Sequence, residues 1–529
     1  MSSLRRVAPL LAAIGAFLVL NQALRLQSPF LAFAPILVVL AAMLFYRLGG
    51  HLAGPLGLAV TLILGFQSYG LTPLLLFYSQ YKALLLSVYV LMVFVPALML
   101  YQTVNHAGGV AQVAQALRVL VSDRPLLLLV TAIGFSALLE GVAGFGLPVA
   151  IASPILINLG MPPLQAIAAV SIGHSWSVTY GDMGAIFLTL KQLVQTPPEL
   201  FSPYMALLLG IGILLCALAV THLLRAFGRW PAVLAISAAM MLTQTACVLG
   251  GLVAISDLAV GMVAIFAGAL LSRYYNGGLP LTLPALNRPL KAALLSYGFL
   301  AALLFLITSV PPIFALANSV QWQVSFPQLA SANGFVTPAI TNRYAPLVHT
   351  GFGTLVAVAF AYLLNQRLRL YNGIGIGRIA ADTLRASWQA VAGILAMVGL
   401  AAIMDHTGMT RQMAQTVSGW FGNLYPLVSP LIGTLGAFAT GSNSNSNVLF
   451  ARMQEDVATL LGLAPALMIA AQTTGGSLGS MVAPAKISVG CTTSGMAGHE
   501  GDVLRITLPY GLAIGAVMGI ITYLVAGAI

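Results

Sequence analysis

Apolar residues run along this chain in long blocks, separated by short polar or glycine-rich breaks. The blocks fall near 7–24, 30–47, 53–77, 83–104, 164–195, 203–221, 231–249, 256–272, 291–310, 346–365, 383–404, 466–495 and 505–527. Most have the length at which a helix crosses a hydrocarbon layer, about 20 residues. Two further apolar stretches, 125–160 and 425–462, each fold back on themselves around a tip of small or polar residues. Irregular backbone at membrane depth is tolerated only where it packs in protein or lines a wet cavity. The pattern therefore predicts an all-α integral membrane protein of about 13 transmembrane helices plus two re-entrant hairpins.

Composition and charge sharpen that reading. Hydrophobic residues make up 59% and charged residues 6% of the 529, which excludes a water-soluble fold. The net charge of +11 comes from basic residues lying singly in short loops, so it reports orientation in a bilayer and not a nucleic-acid partner. Arg5 and Arg6 place the amino terminus in the cytoplasm, and the run that follows reads as a retained first helix rather than a cleaved signal. The loops holding Arg225/Arg229, Arg273/Arg288/Lys291 and Arg367/Arg369/Arg378/Arg385 then all fall inside, while the long loop 311–345 falls outside. A cell-membrane, multi-pass location is expected. Cys216, Cys247 and Cys491 sit in apolar segments and give neither a disulfide nor a metal framework, so no cofactor or metal is expected. There is no HExxH, no G-x-S-x-G and no Cys/His cluster, which argues against an enzyme.

The chain also contains itself twice. Residues 105–141 align without a gap on 405–441, with His106, Gly108, Gln112, Ala114, Gln115, Ala137 and Gly141 recurring as His406, Gly408, Gln412, Ala414, Gln415, Ala437 and Gly441. After a slip of two residues, 159–175 pairs with 461–477. Under the topology above the two copies enter the membrane from opposite faces, as inverted repeats that support alternating access do. The implied division is scaffold helices at 1–82, a first repeat at 83–200, central scaffold helices and the external loop at 201–382, an inverted second repeat at 383–503, and a last helix at 504–529. Whether the scaffold helices form a homodimer is left open.

Chemistry can reside at the tips and in the helices that follow them. The first tip runs from Glu140 to Pro148 and the second from Thr440 to Asn447. Gly141, Gly144, Phe145 and Gly146 on the first, and Ser442, Asn443, Ser444 and Asn445 on the second, offer backbone N–H groups and neutral donors to a small anion. The bland alternative is tight hairpin packing through small residues. The following helix is broken in each half, by His174–Gly184 and by Thr473–Ser480 with Pro484–Lys486. Ser175, Ser177, Thr473, Thr474 and Lys486 thus join the candidate substrate site, with Lys486 as counter-ion to an anionic substrate or, alternatively, snorkelling to the surface. Asp123, Glu199, Asp382, Glu455, Asp456, Glu500 and Asp502 lie in loops or at span ends and read as solvated, Asp257 reads as a turn residue, and Asp405 lies near the end of a span beside His406. That leaves Glu140 and Asp182 as intramembrane carboxylates, with His174 beside them, as proton-coupling candidates. Glu140 could instead cap its own hairpin, and the symmetric His106 and His406 read as structural.

The stretches LEGVAGFGLPVAI (139–151), TGSNSNSNVLF (440–450) and TTGGSLGSMVAP (473–484) resemble signature sequences of bacterial lactate permeases. The resemblance covers 80–200 and 380–525 well. It implies an elevator-type carrier in which Glu140, Gly141, Gly144, Phe145, Gly146, Pro148, Thr440, Gly441, Ser442, Asn447, Thr473, Thr474, Gly475 and Gly476 match family positions. The implied cargo is lactate or glycolate in symport with a proton. A sodium-coupled carrier of another organic anion is the alternative.

Overall fold

The computed structural model describes residues 2–24, 29–46, 48–144, 146–277, 282–371 and 373–529. Phe145, expected at the first tip, lies outside these residues, as do the side chains of Arg5 and Arg6. The chain is a multi-pass membrane protein. Among the described residues nine helices are long and apolar enough to span a bilayer, from Gly50–Ser68 to Glu500–Ala528. Their outer faces carry exposed Leu242, Phe266 and Leu524. Such a rim suits lipid, whereas in water it would form a patch prone to association. Polar residues are turned inward instead: Gln472, Thr473, Thr474 and Ser477 on Pro465–Gly479 are all fully buried.

Two boundaries differ from the hydropathy reading, for local reasons. The block 53–77 stops at Ser68, and a new 34-residue helix, Pro73–His106, begins where Thr72 caps it, its Oγ1 accepting from the Leu75 N–H at 3.2 Å. A threonine followed by proline is an N-cap and N1 pair, and it overrides the continuous apolarity around it. The loop 311–345 is not wholly irregular, so "all-α" needs correction. It holds a short helix, Pro311–Asn318, and two small antiparallel pairings, Trp322–Phe326 with Ile340–Tyr344 and Leu329–Ala330 with Val336–Thr337.

The same order of elements occurs in both halves. A long helix (Pro73–His106; Ile376–Thr407) ends at a left-handed glycine (Gly108, φ +77°; Gly408, φ +82°) and is followed by an amphipathic helix (Gly109–Leu120; Met409–Phe421). A helical hairpin comes next. The first has arms Arg124–Val142, with a π-helical turn at Thr131–Phe135, and Leu147–Asn158. Arg124 Nη2 donates to the Leu159 carbonyl at 2.9 Å, so this hairpin begins and ends on one side. The second has arms Tyr425–Thr440 and Asn443–Leu461, tied by Gln454, which accepts from the Tyr425 hydroxyl and from Ser429 Oγ at 2.9 Å. A broken helix follows each hairpin. The first is Pro163–Gly173, a 3-10 turn at Ser175–Thr179, and Gly181–Leu193. The second is Pro465–Gly479, a 3-10 turn at Ser480–Val482, and Pro484–Thr493.

Contacts join residues that the charge pattern assigns to the same side. His106 meets Asp382 at 3.2 Å at one end of the bundle. At the other, Tyr69 donates to Gln412 at 2.6 Å and the Ala332 N–H of the long loop donates to the Gly70 carbonyl at 2.8 Å.

Candidate functional site

The two hairpin tips meet on one element, the helix Pro484–Thr493. A side chain at Gly441 would lie 3.0 Å from Ala485 Cβ, and one at Gly146 would lie 3.5 Å from Val489 Cβ. Pro484 starts this helix after the 3-10 turn and sets Lys486 in its first turn. A cation at the positive end of a helix is poorly placed with respect to the helix dipole, so it favours an anionic partner. That partner is Glu140. Lys486 Nζ stands 3.6 Å from Glu140 Oε1, and both side chains are buried. Lys486 therefore does not snorkel.

Glu140 also faces His174. The imidazole Nδ1 lies 2.6 Å from the Val170 carbonyl, which can only accept, so Nδ1 carries the proton. Nε2 then presents a lone pair toward Glu140 Oε2, 4.0 Å away, and neither atom has a hydrogen-bond partner among the described residues. Two buried acceptors facing one another form a place for a proton. Lys486 Nζ likewise lacks a hydrogen-bond partner.

Asp182 completes the cluster. It sits in a run of left-handed residues, Asp182 (φ +50°), Met183 (φ +55°) and Gly184 (φ +79°), which breaks the helix after the 3-10 turn. Each non-glycine residue held there costs about 1–2 kcal/mol, a strain of the kind that collects at functional sites. The conformation lets Asp182 Oδ1 accept from the Gly144 N–H at 2.5 Å. Gly144 has no room for a side chain: a Cβ would lie 2.7 Å from Glu140 Oε1 and 2.9 Å from Asp182 Oδ2. Gly181 is pinned in the same way, 2.8 Å from Glu140 Cγ.

A second, neutral cluster binds the two broken helices together. Thr179 Oγ1 lies 3.2 Å from Thr473 Oγ1 and accepts from Asn443 Nδ2 at 3.0 Å, while Asn447 Nδ2 donates to Thr473 Oγ1 at 2.9 Å. Ser477 Oγ donates to the Ser175 carbonyl at 2.7 Å and accepts from the Thr179 N–H at 3.2 Å. The amide oxygens of Asn443 and Asn447 and the hydroxyl of Thr474 are buried without partners, so the cluster keeps unused acceptor and donor capacity.

Several expected site residues have other surroundings. Ser175 and Ser177 donate within their own turns, to Ile172 and His174 carbonyls at 2.9 and 2.6 Å. Gly141 packs against the backbone of Asp257 and Leu258. The second tip is shorter than expected, only Gly441 and Ser442, with Ser442 capping the next arm at Asn445 N (3.4 Å). Ser444 and Asn445 are helical, and Asn445 Nδ2 lies 3.5 Å from where a Cβ of Gly50 would be. Thr473–Gly479, expected to break the helix, is also helical, because Gly475, Gly476 and Gly479 admit Pro430, Asn443 and Thr434 at close range. Four acids expected in solvent or at a turn are buried. Asp123 is held by Arg229 at 2.8 Å; Glu455 and Asp456 by Arg452 at 2.8 and 3.4 Å; and Asp257 stands at the start of Ser256–Tyr275 beside the first hairpin.

Known proteins align with this chain over nearly its whole length. The family model for L-lactate permease matches residues 28–529. The glycolate permease GlcA of Escherichia coli strain K12 is 25% identical across 94% of this chain and 96% of its own. The L-lactate permease of Bacillus subtilis strain 168 is also 25% identical, over 94% and 96%. Among solved structures, the YdaH transporter of Alcanivorax borkumensis covers 83% of this chain and 85% of its own at 15% identity, with a TM-score of 0.46.

Proposed function

Because the chain belongs to the L-lactate permease family, we propose that it carries a small monocarboxylate of the lactate and glycolate class across the cell membrane in symport with a proton. The observation that carries this reading is Glu140 standing between Lys486 and His174, with three buried polar atoms left unpartnered. Lys486 and Glu140 neutralise one another at rest. An entering carboxylate competes for Lys486, and its negative charge would leave the site with a net buried anion. A buried unpaired charge costs several kcal/mol. That cost is removed if Glu140 takes up one proton, held toward the bare Nε2 of His174. One anion and one proton then move together, electroneutrally, and a pH gradient drives accumulation. Thr474 Oγ1 and the amide oxygens of Asn443 and Asn447 are the neutral groups suited to a 2-hydroxyl.

The same reading takes 83–200 and 383–503 as inverted repeats that form the moving body of an elevator. The segments 1–82, 201–382 and 504–529 form its scaffold, with 13 crossings in all and the amino terminus in the cytoplasm. The recurrence of element order and of the left-handed Gly108 and Gly408 supports it. Purified protein in liposomes loaded at alkaline pH should concentrate labelled L-lactate or glycolate when the outside is acidified. No accumulation under that gradient would refute it. The unpartnered oxygens of Asn443 and Asn447 favour one second reading, coupling to sodium; accumulation that needs sodium and ignores pH would select it.

A further inference from the structure

Asp257 is buried beside the first hairpin, apart from the Glu140–Lys486 pair. It is 1% exposed, and among the described residues neither of its carboxylate oxygens has a hydrogen-bond partner. An ionised carboxylate in that setting would be strongly disfavoured, whereas the neutral acid is accommodated. Its position is defined by the first hairpin: a Cβ on Gly141 would lie 2.8 Å from Asp257 Cβ, so the residue next to Glu140 packs directly on it. The titratable groups around it are Glu140 from the hairpin, Asp182 and Tyr180 from the broken helix, and Cys247 from Trp230–Leu249, all near enough to interact electrostatically. None of them hydrogen-bonds it, and the Tyr180 hydroxyl is itself buried and unpartnered.

A cavity of about 450 Å³ is lined on one side by Met183 and Gly184 and on another by Val253, Ala254 and Ile255. It thus reaches the residue after Asp182 and comes within two residues of Asp257. Lys191, Glu199 and His349 also line it, and its rim is built from loops that the charge pattern places outside.

We propose that Asp257 is the entry relay for the coupled proton, loaded from this cavity and discharging to Glu140. A hydronium ion in the cavity gives its proton to the Asp257 carboxylate and is left as water. The neutral acid then breaks its O–H bond as one forms at Glu140, with the Tyr180 hydroxyl as the bridging group, and the Asp257 carboxylate is reloaded from the cavity. Asp257 is a positioning and relay residue; it does not touch the carried anion. The inference rests on the proton-symport reading above.

Two measurements test it, on the full chain. In liposomes, Asp257→Asn should lower pH-gradient-driven lactate accumulation by about tenfold or more, while lactate exchange at equal pH on both sides persists. If wild-type protein accumulates lactate under the gradient and Asp257→Asn does so equally, the relay is wrong and the symport reading stands. If wild type itself fails, the symport reading is wrong. The second measurement needs no variant. Dicyclohexylcarbodiimide modifies protonated carboxyls in apolar surroundings, and peptide mapping of treated wild-type protein should find Asp257 labelled, less so as the pH is raised. Absence of label at Asp257 across the pH range would overturn the proposal even if Asp257→Asn does not fold.

Discussion

Gly144→Ala isolates the carboxylate cluster with a single methyl group. The added Cβ would stand 2.7 Å from Glu140 Oε1 and 2.9 Å from Asp182 Oδ2, where ordinary contact begins at 3.4 Å. Gly144 has no left-handed φ, so its backbone accepts alanine and the nearest conflicts are with the two carboxylates. Overpacking of this kind costs about 1–3 kcal/mol. Both carboxylates can yield only by leaving Lys486 and the Gly144 N–H, so the cost falls on the site. At about 1.4 kcal/mol per factor of ten, uptake should fall by about tenfold to a hundredfold. Gly146→Ala supplies the contrast. Its Cβ has 3.5 Å of room to Val489, but φ is +86°, so it should lose about 1–2 kcal/mol of stability through backbone strain. The assay is initial uptake of labelled lactate beside a thermal melt in detergent. Gly144→Ala transporting at the wild-type rate would refute the arrangement.

Lys486→Gln leaves Glu140 without its cation and should weaken lactate binding by about a hundredfold, read by calorimetry; unchanged affinity would mean the anion binds elsewhere. Arg452→Gln strips the cation from Asp405, Glu455 and Asp456 at 3.6, 2.8 and 3.4 Å and should lower stability by about 2–4 kcal/mol, seen as an earlier thermal midpoint. Arg225 is exposed at φ +53° just past the helix Pro198–Leu223, so Arg225→Gly should raise stability by about 1 kcal/mol, and a lowered midpoint would count against the strain assigned there.

The sequence exposes the features that have periodicity or rarity. Sorting the few acids singles out Glu140 and Asp182, the breaks in the helices after the hairpins single out His174 and Lys486, and the fold brings all four together. Long-range partners are different, because no local signal encodes them. Thr179 looks like any helix threonine until Asn443, 264 positions away, donates to it. The glycines of 475–479 read as a break, since a sequence does not distinguish a glycine that bends a helix from one that admits a neighbour. Asp123, Glu455 and Asp456 sit near span ends, where solvent is the ordinary expectation, and only Arg229 and Arg452 arriving from elsewhere allow their burial. Repeat symmetry misleads at one point. Gly141 and Gly441 align, yet Gly141 is helical and packs on Asp257, while Gly441 (φ +70°) turns the second hairpin.

The central claim is that one anion displaces one carboxylate from Lys486, which then takes one proton. Calorimetric titration of the purified protein with L-lactate, in buffers of differing ionisation enthalpy, counts that proton directly. About one proton should be taken up per lactate bound by the wild type, and none by Glu140→Gln. Lactate binding to the wild type with no proton uptake would contradict the account.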